Sequence, residues 1–170
     1  MLKFLVLMLL ASCGYRREEA PNSSILNKLR SSKSTWLSQK EEFKGEYTYT
    51  VQQSISNDKH LRNWLTTVYV KDDKVVCRYF HQIDDLSVII WFESKETLGK
   101  HVEGSPVRTM DGLYDECAKL ALHDENRVLI YAEDPRGVLA SCYVPVEYPS
   151  YEKIQVSSIS GTACVANDLR

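Results

Sequence analysis

Two alternating runs, Asn63 to Val70 and Val75 to Ile83, flank the tetrapeptide Lys71-Asp72-Asp73-Lys74. Trp64, Thr66, Val68 and Val70 recur at every second position, the period that sends side chains to one face of a strand. A connector this short and charged is a turn, so the two runs pair as an antiparallel hairpin. A sheet with one apolar face follows, and the rest of the chain must supply its cover.

The flanking segments fit that demand. Glu46 to Ile55 alternates Tyr47, Tyr49 and Val51 with Thr48, Thr50 and Gln52, which predicts a strand. Ser87 to Glu93 holds Val88-Ile89-Ile90-Trp91-Phe92, the most apolar run after the leader, and predicts a central strand buried on both faces. Strands are expected at Arg127 to Ala132 and Val138 to Val144, joined by the turn residues Asp134-Pro135-Arg136-Gly137. Pro145 to Glu152 reads as a turn and Lys153 to Ser160 as a last strand. Ile25, Leu29, Trp36 and Phe43 fall near one helical face. Ser23 or Ser24 is a fitting cap and Gly45 a fitting stop, for one helix or for two broken around Ser31 to Ser34. Thr109 caps a second helix, with Met110, Leu113, Cys117, Leu120 and Ala121 as its buried stripe. The order predicts an α+β fold, a mostly antiparallel sheet of about seven strands with two amphipathic helices packed on it. Lys95 to Arg108, with Gly99, Gly104 and Pro106, is a loop long enough to be a functional candidate.

The first residues carry an address. Lys3 precedes an apolar run from Phe4 to Leu10, and Leu10-Ala11-Ser12-Cys13 closes it. The run is about half the roughly 20 residues a membrane-spanning helix needs, so a cleaved leader is expected. The Leu-Ala-Ser-Cys order resembles a bacterial lipoprotein signal, which implies lipidation of Cys13. The alternative is an ordinary secretory leader cut after Ala11 or Ser12. Gly14 rather than aspartate follows the cysteine, which by the same resemblance implies the outer membrane if the host has one. The expected organisation is a signal over 1–12, a flexible tether over 13–22, one α+β domain over 23–165 and a tail over 166–170. The expected location is the cell envelope, held to the membrane through the lipid anchor.

Removing the leader leaves roughly 145 foldable residues, enough for one domain with a real core. The 21 basic and 23 acidic residues are interspersed, so no basic stripe exists for nucleic acid. Ten tyrosines against four phenylalanines suit half-wet strands first and binding surfaces second. Besides Cys13 the chain has Cys77, Cys117, Cys142 and Cys164. An even set in an exported chain favours two disulfides over free thiols or zinc. Three pairings are open, with Cys77–Cys117 and Cys142–Cys164 preferred as sequence neighbours.

No segment carries a recognisable catalytic motif. Gly-x-Ser-x-Gly and a phosphate-binding glycine loop are both missing from the sequence. His81 with Asp84 and Asp85 could hold a metal, but their loose spacing suits a solvated strand end better. Cys77 and His81 share one side of a strand, yet a disulfide is the expected fate of that thiol. His123 at a helix end complements the dipole. Neither a catalytic residue nor a cofactor is expected. Binding remains, to a protein of unknown identity. The surface to test first comprises Lys100 and His101 in the long loop, and Tyr148 and Tyr151 around Pro149-Ser150.

Together, Trp36 closing a helix, Tyr47-Thr48-Tyr49-Thr50-Val51, the hairpin over Val68 to Val76, Thr109 to Tyr114 and Tyr131 to Gly137 form a pattern. It resembles a family of small exported bacterial proteins of unknown function. The resemblance implies the α+β fold and export, and assigns no activity. Two functional readings follow: a non-catalytic envelope lipoprotein acting by binding, or an immunity or inhibitor lipoprotein blocking a toxin or lysozyme-like enzyme. The latter should show an exposed, ordered Lys95 to Arg108 loop. An enzyme would instead gather His81, Asp84, Asp85, His101 and His123 in one pocket.

Overall fold

Tyrosine hydroxyls knit the centre of this molecule to its cover. The computed structural model describes residues 21–57, 60–83, 89–123, 128–144 and 150–158. In chain order these form α1 (Pro21–Glu42), β1 (Glu46–Asn57), β2 (His60–Lys71), β3 (Lys74–Ile83) and β4 (Ile89–Glu93). There follow α2 (Met110–His123), β5 (Ile130–Glu133), β6 (Leu139–Tyr143) and β7 (Ser150–Ser158). The fold is α+β with antiparallel strand pairing throughout.

The strands divide between two sheets instead of one. The larger runs β4-β3-β2-β1-β7, and β5 pairs with β6 in a second sheet among the described residues. The β5–β6 hairpin is drawn away by what it packs on. Cys142 of β6 is disulfide-bonded to Cys117 of α2, and Tyr114 Oη of α2 accepts from Leu139 N at 2.9 Å. The expected central strand β4 lies at an edge, with Ile90 52 % exposed. Trp91 faces the loop that follows, while Phe92 packs beside Tyr79 on the other face. The expected turn over 145–152 overlaps β7, so Tyr151 sits in a strand opposite Ser54 of β1.

The hairpin is built as its sequence requires. Asp72 and Asp73 both have positive φ, 49° and 59°, the backbone of a type I′ turn that matches strand twist. In β1 and β2 the pairs Tyr47–Val70, Tyr49–Val68 and Val51–Thr66 place six buried side chains on one face. Leu29 and Trp36 of α1, and Met110, Leu113, Tyr114 and Cys117 of α2, cover that face. Trp36 is fully buried and meets Tyr47 edge to face at 4.7 Å. Tyr47 Oη accepts from Met110 N at 3.2 Å, and Tyr49 donates to the Arg108 carbonyl, so the sheet fixes where α2 begins. Gly112 N donates to Thr109 Oγ1 at 3.3 Å, the expected cap.

Helix α1 is one continuous helix that starts at Pro21, so the last two tether residues belong to it. Pro21 suits a first helical position, where a missing N–H costs nothing. At the other end Lys44 and Gly45 have φ of 54° and 72°, and Gly45 N donates to Lys40 O at 3.0 Å, closing a Schellman-type stop. Lys40 also bridges Asp73 in the hairpin turn and Asp111 in α2, the latter at 2.7 Å.

The preferred cysteine pairing is overturned: Cys117 bonds to Cys142, with Cα atoms 5.7 Å apart. Sequence neighbourhood gave the wrong partner because the helix stripe turns Cys117 toward β6. Cys77 is disulfide-bonded as well, to a partner outside the described residues. Cys13 and Cys164 also lie outside them.

Candidate functional site

Inward-facing positions of β3 and β4 carry charge where the rest of the sheet carries hydrocarbon. Arg78 pairs with Val68 across β2 and with Glu93 across β4, on the face that the helices cover farther along. Its side chain is 2 % exposed and that of Glu93 is fully buried. Two charges so deep need each other and a full set of hydrogen bonds.

Both are satisfied, and mostly by one loop. Arg78 donates from Nε to Glu93 Oε2 at 2.5 Å, from Nη1 to the Ser105 carbonyl at 2.6 Å and from Nη2 to the His101 carbonyl at 2.7 Å. Glu93 also accepts from Gly99 N at 2.9 Å, His101 N at 2.6 Å and His101 Nδ1 at 3.1 Å. An ionised carboxylate only accepts, so the Nδ1 of His101 carries its proton. The loop of residues 94–109 is therefore strapped down from beneath by a buried ion pair.

Aromatic stacking completes the floor. Trp91 stacks on His101 at 4.5 Å and on Phe80 at 5.2 Å, and the Arg78 guanidinium lies 4.7 Å from the indole centroid. Trp91 Nε1 and Ser105 Oγ are buried without a hydrogen-bond partner among the described residues, so stacking and the ion pair hold this layer. Ser105 N donates to Thr66 Oγ1 at 2.9 Å. Gly104, at φ 79°, lies so close to the sheet that a Cβ would sit 2.7 Å from both Phe80 Cδ2 and Thr66 Oγ1. Only glycine permits that approach.

Above this floor the loop is open to solvent. Lys100, Val102, Glu103, Pro106 and Val107 are exposed, Val102 at 91 %. His101 is 40 % exposed, with its stacked face on Trp91 and Nδ1 turned to Glu93. A groove of about 240 Å³ lies between α2 and β6, lined by Leu113, Leu120, Leu139 and the Cys117–Cys142 bridge.

The electrostatics of Glu93 yield a pH expectation. Burial pushes its carboxyl up, but the hydrogen bond from Arg78, those from the His101 and Gly99 amides and the Arg78 charge outweigh it and hold it at about 2, against an ordinary 4.5. A carboxyl depressed on folding contributes stability that is complete above pH 4.5 and is lost as pH falls toward about 2. Urea unfolding across this window should therefore show a steeper acid loss in the natural chain than in Glu93→Gln. Equal slopes would contradict the depressed carboxyl.

Two of the four proposed binding residues fall in one described element. Lys100 and His101 share the strapped loop. Tyr151 is on β7, while Tyr148 lies outside the described residues. His81 sits with Leu65, Cys77 and Tyr79 on the sheet face opposite Phe80 and Trp91, and burial lowers its pKa. His81 and His101 thus occupy different faces and do not share a pocket. Asp84 and Asp85 are outside the described residues, and His123 ends α2. The disulfide at Cys77 removes the thiol that a Cys77–His81 pair would need.

Arg78 and Glu93 are the site residues that sequence reading passed over, while Trp91 and Gly104 were read as a core strand residue and a loop glycine. One signal was present: Arg78 interrupts Val75-Val76-Cys77 and Tyr79-Phe80 at a position the strand period turns inward.

No protein-family model, no curated protein and no solved structure matches this chain. The loop and its ion pair must therefore speak for themselves.

Proposed function

We propose that the chain is a cell-envelope lipoprotein, anchored through acyl chains on Cys13, that acts by binding another protein and not by catalysis. The observation that carries this reading is the loop of residues 94–109. It is fixed in shape by a buried ion pair, yet it turns exposed side chains outward. A loop ordered before binding loses little conformational freedom on docking, which is how a small surface reaches useful affinity. The chemically capable groups at this loop, Glu93 at the end of β4 and the Nδ1 of His101, are engaged in holding its shape.

The same loop favours a second reading, in which the partner is a toxin or lysozyme-like enzyme and this chain is its inhibitor or immunity protein. An inhibitor needs a stiff projection that enters a cleft, and this one is ordered and exposed. The motif resemblance to small exported bacterial proteins supports export and adds no activity.

Anchoring is tested at its one atom. Each buried methylene contributes about 0.8 kcal/mol, so several acyl chains anchor stably where a single chain is only marginal. The full-length chain should sediment with membranes, and Cys13→Ser should move it to the soluble fraction or leave it with an uncut leader. A Cys13→Ser variant that is processed and still sediments would overturn the anchor.

A further inference from the structure

Arg78 does more than neutralise Glu93. Its two terminal nitrogens grip the carbonyls of His101 and Ser105 from the same guanidinium, so the chain leaves and returns within one fork's width. Val102, Glu103 and Gly104 are strung between those fixed carbonyls. The amides on the near side, Gly99 and His101, are held by Glu93, and the amide on the far side, Ser105, by Thr66. Gly104 is pressed on Phe80 and Thr66, which turns Val102 and Glu103 away from the sheet. The result is a closed, convex tip with a branched apolar side chain at its apex.

We propose that residues 101–104 are a docking finger that seats Val102 in an apolar pocket of a partner protein. The rim of that pocket carries an acid to meet Lys100 and a base or hydrogen-bond donor to meet Glu103. This rests on the binding reading above and names its contact. Val102 is the most exposed large apolar residue among those described, and Pro106 and Val107 of the same loop are exposed as well. Convex shape calls for a concave receptor, and a tip whose flanks are already held at His101 and Ser105 docks at a reduced ordering cost. A lipid surface is the poorer match. Membrane-seeking loops present several large apolar or aromatic side chains with a basic cluster, whereas this tip has one valine beside an acid.

The test uses the full-length chain in its own cells, with p-benzoyl-phenylalanine placed at Pro106 or Val107 in the same loop and at Lys28 or Lys74 as exposed controls on α1 and β3. Irradiation should give a discrete protein adduct from positions 106 and 107, and Val102→Asp should cut its yield about tenfold while leaving the circular dichroism unchanged. Adducts from 28 or 74 with none from the loop would overturn the finger and leave the binding reading standing. Loop adducts indifferent to Val102→Asp would overturn the apolar anchor. Loop adducts to phospholipid alone would overturn the protein receptor. No protein adduct from any of the four positions would overturn both the finger and the binding reading.

Discussion

Replacing Arg78 with methionine should cost about 3–5 kcal/mol of folding stability, the range found when one partner of a buried pair is removed. Methionine fills much of the same space, so the loss comes from charge and not from a cavity. Glu93 would be left fully buried without its guanidinium, and the carbonyls of His101 and Ser105 would lose their donors. Each stranded polar group carries a desolvation penalty of about 1–3 kcal/mol. The double variant Arg78→Met with Glu93→Met should recover much of the loss, because an apolar pair in such a place is often neutral. Urea unfolding measures both. A single variant within about 1 kcal/mol of the natural chain would show that the pair does not strap the loop.

Breaking the Cys117–Cys142 bridge should have the next largest effect. The bond spans 25 residues of sequence, for which restriction of the unfolded chain contributes about 3 kcal/mol. It ties α2 to β6, while residues 99–105 of the loop are held by β2, β3 and β4. Cys117→Ser with Cys142→Ser should therefore lower the unfolding midpoint without changing the order of the loop. The Arg78 variant should disturb both. Calorimetry of the serine variant, with loop order followed separately, distinguishes the two. A change under about 1 kcal/mol would mean that the bridge adds little to the packing of Leu113 and Leu139.

Local rules made much of this fold readable. The β2–β3 hairpin follows from a two-residue period and a charged turn, and α2 follows from a threonine cap and an apolar stripe ending in Ala121. Long-range choices were not readable. Nothing in the run of Ile89 to Phe92 says that β4 lies at an edge, because a covering loop serves one face as well as a second sheet would. Likewise, the separate β5–β6 sheet is joined to α2 by a disulfide and a Tyr114 hydrogen bond that no local pattern announces. The candidate site was half readable. Length and glycine content singled out the loop and with it Lys100 and His101. The charges that fix it were hidden in strands, where an inward Arg78 and a terminal Glu93 look like ordinary breaks in an apolar pattern.

The account turns on a loop held rigid by a buried carboxylate and a buried guanidinium. Amide hydrogen exchange at Gly99, His101 and Ser105 tests it most directly. Their N–H groups donate to Glu93 and Thr66, so all three should exchange as slowly as the amides of β3, and the first two should become fast in Arg78→Met. Exchange at the rate of an unfolded peptide in the natural chain would contradict the account.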